Sequence, residues 1–261
     1  MKFVPRELTT NVNISPGGEG KPLLKGILVF CAIFFAVYFL LIVFVDALIS
    51  YVPEKVDRAL SGLFARRIQT PAPWDPQRLQ IQQVLDGLRQ DYDGPPYDFR
   101  VDILKSPEMN ALAFPGGNIV LTSQLVNALE SENELAMILG HELSHYSQHD
   151  HLRALGRAVV FTGLLTAWST GTNDNPLGSH VVNSISTFDL KYSRQQERLA
   201  DENGLKFLIR RYQHAGGAIS VFEKMEEEYA GQDRVPFVQL FSTHPRIKDR
   251  ITHLKELIRD H

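Results

Sequence analysis

Residues 131–145 of the chain have the sequence SENELAMILGHELSH, which combines a helix start with a recurrent metal-binding pattern. Ser131, followed three residues later by Glu134, forms a capping box, and this predicts that a helix begins here. The H-E-x-x-H pattern falls within that helix, at His141 and His145. Residues four apart share one face of a helix, so both imidazoles are expected to reach one tetrahedral zinc ion.

Glu142 follows His141 directly and is expected to lie beside the open position of a catalytic zinc. It would be the general base that takes a proton from a zinc-bound water, whose pKa zinc lowers to about 7. The alternative is a solvated helix with scattered histidines, because three fixed letters in five recur by chance. The apolar neighbours Ile138, Leu139 and Leu143 favour burial of this segment and hence the metal site.

A catalytic zinc needs a third protein ligand, and residues 197–201, ERLAD, offer two carboxylates on a second predicted helix. Glu197 is expected to bind the metal. Asp201, one turn later, is expected to accept the free N–H of a ligand histidine and fix its tautomer. On spacing alone a solvated acidic face is the stronger interpretation, because acidic residues four apart usually face water.

Residues 27–45, ILVFCAIFFAVYFLLIVFV, carry no charge. As a helix they extend about 28 Å, enough to cross a bilayer core of about 30 Å. A cleaved signal peptide is the competing interpretation, but its apolar core is shorter, and residues 46–50 offer no small-residue cleavage site. The sequence therefore predicts a retained single-pass anchor that contacts membrane lipid.

Basic residues set the predicted orientation of this anchor. Four precede it and two follow closely, namely Lys2, Arg6, Lys21 and Lys25 before Lys55 and Arg58. The positive-inside rule then predicts a cytoplasmic N-terminus and a peptidase domain on the extracytoplasmic, periplasmic side. Arg66 and Arg67 lie just beyond the counted window and weaken the asymmetry.

The rest of the chain predicts an α+β domain, mostly helical with one small β-sheet. Asp75-Pro76 marks a helix start, and alternation over 99–103 predicts a strand. Two more strands are predicted at 110–114 and 118–122, and helices at 123–130, 132–149, 190–213, 218–230 and 245–259. The predicted organisation is a flexible tail, an anchor, a juxtamembrane linker and a zinc metallopeptidase domain, over 1–24, 25–50, 51–73 and 74–261. The apolar run 158–169 is too short to span a membrane, so a buried core helix is favoured over a membrane-grazing hairpin.

Composition excludes several classes of protein. The formal net charge is −3, and basic residues form no stripe interleaved with aromatics, so the sequence predicts no nucleic-acid partner. The single cysteine, Cys31, lies inside the apolar run. This excludes a disulfide framework and a cysteine zinc site.

Four motifs in order resemble the gluzincin zinc metallopeptidases, the group that includes the CAAX prenyl endopeptidase, HtpX and BepA. They are H-E-x-x-H, residues 193–201 (SRQQERLAD), residues 242–245 (STHP) with Arg250 beyond, and residues 110–117 (NALAFPGG). The resemblance covers about 75–260 and implies a zincin-like fold with one zinc ion held by His141, His145 and Glu197. It also implies endoproteolysis of misfolded or membrane-associated proteins. Multi-span relatives differ in topology, so their substrates are not carried over, and nothing supports prenylated substrates.

The same resemblance implies roles for His244 and Arg250 at the catalytic centre. His244 would approach the metal or the tetrahedral intermediate, and Arg250 would stabilise the developing oxyanion. A helix cap and a structural ion pair are equally open alternatives. Tyr192 is a further oxyanion candidate. His149 and His151 are interpreted as surface or supporting histidines, because the metal's ligand set is already filled.

The segment before the metal-binding helix is predicted to hold substrate. Residues 110–114 would form an edge strand onto which an extended peptide adds as one more strand. Small Ala111 and Ala113 would leave room for substrate side chains, and the turn glycines would adopt positive φ. The predicted substrate-binding residues are Asn110, Ala111, Leu112, Ala113, Gly116 and Gly117. An ordinary β-hairpin is the alternative.

Two other functions compete with the endopeptidase. One is a different zinc hydrolase, which an extended-peptide strand disfavours. The other is a zinc-bearing chaperone that grips unfolded chains without cutting them. The intact Glu142 argues against it, because a protein that does not cut is free to lose that carboxylate.

Overall fold

The structure is a computed structural model that describes residues 20–49, 51–65, 75–169, 192–230 and 247–259. Most of the predicted N-terminal tail, part of the predicted linker and the motif at 242–245 with His244 lie outside the described residues. The helices are α1 Gly20–Ile49, α2 Glu54–Ala65, α3 Pro76–Leu88, α4 Ser123–Ala128, α5 Glu132–Ser147, α6 Asp150–Ser169, α7 Arg194–Tyr212, α8 Ser220–Ala230 and α9 Ile247–Arg259. The strands are β1 Arg100–Leu104, β2 Ala111–Phe114 and β3 Asn118–Thr122. The predicted α+β class, mostly helical with one small sheet, is confirmed.

Side-chain caps fix the helix starts that the sequence predicts. The Asp75 carboxylate accepts hydrogen bonds from two backbone N–H groups of α3, and Pro76 occupies its first position. Ser131 caps α5, and its hydroxyl accepts from the N–H of Glu134. At α7, the Ser193 hydroxyl accepts a hydrogen bond from the Gln196 N–H, and the Gln196 side chain accepts one from the Ser193 N–H. The two residues form a complete capping box. Such caps replace hydrogen bonds that the first turn of a helix lacks.

The sheet has the strand order β1-β3-β2, with β1 parallel and β2 antiparallel to β3. Gly116 and Gly117 turn the chain between β2 and β3 with φ of 82° and 85°, the positive values that the sequence predicts. The outer side of β1 is covered by Gln82 of α3, whose amide bonds the Val101 N–H and the Phe99 carbonyl. Within the described residues, β2 forms the other edge and pairs with β3 alone.

Helix α5 is the centre of the domain, since every residue from Glu134 to Tyr146 is buried. It packs against β2, α3 and α7, and a helix enclosed in this way is apolar on most of its faces. Tyr146 ties it to the β2–β3 hairpin by donating to the carbonyls of Phe114 and Asn118. The buried metal-binding helix thus lies directly beside the edge strand.

Helix α1 is the one described helix long and apolar enough to cross a membrane, over Pro22–Ile49. Its large apolar side chains are exposed along most of its length, as Phe35 (64%) and Leu40 (66%) illustrate. The predicted linker that follows contains α2, which contacts the peptidase domain. Its Asp57 carboxylate accepts a hydrogen bond from the Gly116 N–H at 3.1 Å.

Candidate metal centre

Three side chains converge where α5 meets α7. The Nε2 atoms of His141 and His145 lie 3.1 Å apart. The carboxylate of Glu197 approaches them at 3.8 Å and 3.7 Å, respectively. All three residues are buried, and one ligand atom from each lies within 4.8 Å of the others. The structure therefore brings together the three residues predicted as metal ligands.

This donor set fits a zinc ion. Two imidazole nitrogens and one carboxylate oxygen are the ligands of one common class of catalytic zinc site. Tetrahedral ligands at about 2.0–2.1 Å from zinc are about 3.3 Å from one another. The observed separations of 3.1–3.8 Å bracket that value. A fourth, non-protein position is what such a set leaves open.

Each of the two histidines contacts a carboxylate through its Nδ1 atom. His141 Nδ1 lies 3.0 Å from Asp201 Oδ1, which is the contact predicted for Asp201. His145 Nδ1 lies 3.0 Å from Asp150 Oδ2. Such partners fix the tautomer that presents Nε2 to a metal. Burial and the charge of Arg250 lower the pKa of His141, which favours the neutral imidazole that metal binding requires.

Asp150 was missed by the sequence analysis. It is the first residue of α6, and its second oxygen accepts a hydrogen bond from Gln196 of the α7 capping box. His149, in a left-handed conformation with φ 56°, reverses the chain between α5 and α6 and brings Asp150 back beside His145. The sequence shows a carboxylate five residues after His145, which could have indicated Asp150. It contains no recognisable motif for the turn at His149.

Arg250 contacts two of the three predicted ligands, and its Nη2 lies 3.2 Å from Nδ1 and 3.4 Å from Nε2 of His141. Its guanidinium contacts Asp201 at 2.6 and 2.9 Å and Glu197 Oε2 at 2.9 Å, and it stacks over Phe222. Burial raises the pKa of Asp201, but the charge and hydrogen bonds of Arg250 outweigh burial and bring it to about 2. These contacts match the alternative of a structural ion pair. The oxyanion role predicted for Arg250 stays a prediction.

Glu142 is buried beside the ligands, next in sequence to His141. Tyr192 is also buried, and its ring stacks on the His145 imidazole with centroids 3.9 Å apart. Burial and the charges of Glu142 and Asp150 raise the pKa of Tyr192 well above its usual value. The phenol therefore stays protonated and is able to donate a hydrogen bond within the site.

His151 does not lie at the surface, the first of the two positions considered for it. It is fully buried, and its Nε2 lies 3.1 Å from Asp57 of α2. Because Asp57 also bonds the Gly116 N–H, this pair joins α2, α6 and the β2–β3 turn.

The edge strand corrects one expectation about substrate binding. The side chains of Ala111 and Ala113 are buried in the core and leave no room for substrate side chains. The Asn110 carbonyl accepts from the Thr122 N–H, so the backbone polar groups of residues 110, 112 and 114 face β3. Those of Ala111 and Ala113 face away from β3. The strand thus directs alternate backbone groups, rather than alanine methyls, to its outer side.

A helix-borne H-E-x-x-H, a downstream glutamate and one small sheet define the gluzincin metallopeptidases. The model of "Peptidase family M48" matches residues 76–258, and the chain belongs to this family. The resemblance inferred from the motifs is thereby confirmed.

Similar proteins carry related names. The chain is 29% identical to "Metalloendopeptidase OMA1, mitochondrial" of Bos taurus over 60% of this chain and 32% of that protein. It is 26% identical to "Beta-barrel assembly-enhancing protease" of Escherichia coli K12 over 59% of this chain and 33% of that protein. It is 24% identical to "Metalloprotease YcaL" of the same strain over 69% of both chains. The chain thus spans about a third of the first two relatives.

Proposed function

We propose that this chain is a membrane-anchored zinc endopeptidase. The observation that carries the proposal is the buried triangle of His141, His145 and Glu197, with each histidine backed by a carboxylate. A site held this firmly favours metal binding over a chance pattern. Membership of peptidase family M48 supports the same conclusion.

Different residues of the chain have different roles in peptide hydrolysis. Bound zinc would polarise the attacked carbonyl and lower the pKa of the attacking water to about 7. Glu142 takes a proton from that water and returns it to the nitrogen of the leaving amine. Asp201 and Asp150 hold the histidines, and Arg250 neutralises the carboxylates of Asp201 and Glu197 in the buried site.

Substrate binds as an extended strand along β2. The opposite edge of the sheet is covered by Gln82, whereas the backbone N–H and C=O of Ala113 face away from the sheet. The Ala111 N–H faces the same way but donates to Asn110 Oδ1 at 3.0 Å. Pairing through main-chain groups accepts many sequences. This suits a protease that removes misfolded or membrane-associated proteins. The names of the relatives, which include a mitochondrial metalloendopeptidase and a β-barrel assembly-enhancing protease, are consistent with such a role.

The peptidase domain lies outside the cytoplasm, with the N-terminus inside. Support for this orientation comes from the excess of basic residues before the uncharged run 27–45 over those that follow it closely. A reporter enzyme fused after His261 tests it, since the fusion is expected to be active only outside the cytoplasm. Cytoplasmic activity would overturn the orientation and leave the chemistry untouched.

Casein cleavage tests the chemistry. The wild-type chain is expected to cut casein, and a chelator is expected to abolish cutting. Glu142→Gln should keep zinc and lose turnover, because the base is not a metal ligand. Glu132→Gln, at the start of the same helix, is the control and should retain both. A wild-type chain that holds zinc and binds unfolded casein without cutting it would favour the chaperone alternative.

A further inference from the structure

Helix α6 leaves the peptidase core and runs beside α1. Among its described residues, Leu155 and Ala158 pack in a small cluster with Leu60 of α2, separate from the main core. The described residues that follow are apolar or small, and most of them are partly exposed, including Val159 at 41%. Most of residues 159–164 are therefore not enclosed in the core, unlike the buried core helix that the sequence favoured for this run.

Two contacts fix α6 against α1. A Cβ on Gly156 would lie 2.5 Å from Cγ1 of Val45, so only glycine allows this approach. Further along, the rings of Phe161 and Tyr38 meet edge to face with centroids 5.9 Å apart. Residue numbers rise along α6 as they fall along α1. The two helices therefore run antiparallel, and α6 returns along the apolar part of α1.

The uncharged segments of α1 and α6 both begin next to one ion pair that joins the two helices. Arg157 Nη1 lies 3.5 Å from Asp46 Oδ1. On one side of this pair, α1 has its uncharged run 27–45. On the same side, the part of α6 beyond Arg157, residues 158–169, carries no charge. An ion pair that bounds two adjacent uncharged segments is the expected mark of a membrane–water interface.

Helix length limits how deep α6 can reach. Ser169 lies twelve residues beyond Arg157, about 18 Å along the helix axis. The hydrocarbon core of a bilayer is about 30 Å thick. The segment therefore enters the bilayer without crossing it, and its helical backbone satisfies its own hydrogen bonds there.

We propose that residues 158–169 are a second membrane element, a helix that dips beside α1 into the leaflet on the peptidase side of the membrane and contacts lipid. This inference rests on the proposal that α1 spans the membrane. The same helix begins at Asp150, which bonds the ligand His145. Since Asp150 and Arg157 are separated by about 10 Å of helix, the metal centre is held close to the membrane surface.

Fluorescence quenching tests the proposal in the full-length protein. The chain has two tryptophans, Trp74 and Trp168, so Trp74→Phe leaves a single reporter near the end of α6. In phosphatidylcholine vesicles, brominated acyl chains should remove most Trp168 emission, and aqueous iodide should not. Quenching by iodide alone would overturn the proposal. Protection from both quenchers would also overturn it, because a protein partner or second copy would then cover α6.

A tryptophan placed on α1 tests separately whether α1 spans the membrane and whether α6 enters it. Phe39→Trp, combined with Trp74→Phe and Trp168→Phe, places the only tryptophan on the exposed side of α1. Quenching of this reporter by brominated lipid confirms the span. If that reporter is quenched and Trp168 is not, the dipping helix alone is wrong. If neither is quenched by lipid, the anchor fails as well.

Two glycines of α6 test whether packing on α1 holds the segment in place. Gly156→Leu should displace α6 and reduce lipid quenching of Trp168. Gly163→Leu is the matched control, because a Cβ there would meet nothing within 4 Å. It should leave quenching unchanged. Equal quenching in both variants would contradict the packing on α1, and the native Trp168 measurement stands if Gly156→Leu does not fold.

Discussion

Gly140 of α5 and Gly204 of α7 lie against each other where the two helices that carry His141, His145 and Glu197 cross. A Cβ on Gly140 would lie 3.2 Å from the Gly204 Cα, and one on Gly204 would lie 3.0 Å from the backbone nitrogen of His141. The missing side chains let the helix backbones approach closely. This approach allows Glu197, two turns before Gly204, to reach the histidines of α5.

Gly204→Val should therefore push the helices apart. We expect a loss of about 1–3 kcal/mol in the free energy of unfolding, as overpacking costs, together with weaker zinc binding. Urea unfolding and zinc titration measure the two effects. Gly163→Val is the control for helix propensity, since its Cβ meets open space. Equal losses in both variants would contradict the close-approach explanation.

Asp150→Asn should weaken zinc binding by about 10–100-fold, the usual cost of losing a carboxylate behind a ligand histidine. Asp201→Asn should have a similar effect at His141. Competition with a chromophoric chelator measures both affinities. Asp86→Asn, on the exposed side of α3, is the control and should bind zinc as the wild type does. An unchanged affinity in Asp150→Asn would show that its contact with His145 contributes nothing to metal binding.

Arg250→Lys separates the two roles considered for Arg250. Lysine cannot bridge the carboxylates of Asp201 and Glu197 as a guanidinium does. If Arg250 positions these ligands, zinc affinity and thermal stability both fall. If it stabilises the oxyanion, zinc affinity is kept and kcat alone falls. The contacts favour the first outcome, and Arg259→Lys at the end of the same helix is the control.

Glu134 should contribute a pH-dependent part of the stability. Burial raises its pKa, but bonds from Ser220, the Glu130 N–H and Lys224 outweigh burial, so its pKa is lowered overall. A lowered folded-state pKa gives stability that is present above the unfolded value, about 4.3, and is lost as pH falls through the folded value. Urea unfolding below pH 5 should therefore show a shallower loss in Glu134→Gln than in the wild type. Parallel pH curves would contradict this assignment.

Ala113→Pro tests substrate pairing along β2. Its N–H faces away from β3, so proline removes a bond to substrate without removing one from the sheet. We expect a higher KM for casein with zinc content unchanged. Ala113→Gly keeps the N–H and should cut faster than the proline variant. If Ala113→Pro folds, holds zinc and cuts at the wild-type rate, substrate does not pair with this edge.

Structural features that depend on a few adjacent residues were predictable from the sequence. The caps at Asp75 and Ser131, the turn glycines and H-E-x-x-H each depend on short-range geometry. Features that depend on distant contacts were not. His151 and Asp57 are 94 residues apart in sequence yet bonded, and Asp150 reaches His145 only through the turn at His149. The apolar pattern of α6 likewise did not reveal that its partner is α1.

The zinc content of Glu197→Ala shows whether His141, His145 and Glu197 form a metal site. Glu202→Ala, on the same helix and partly exposed, is the matched control. After dialysis, atomic emission spectroscopy should find one zinc per chain in the wild type and in Glu202→Ala, and almost none in Glu197→Ala. One zinc per chain in Glu197→Ala would contradict the metal site on which the whole account depends.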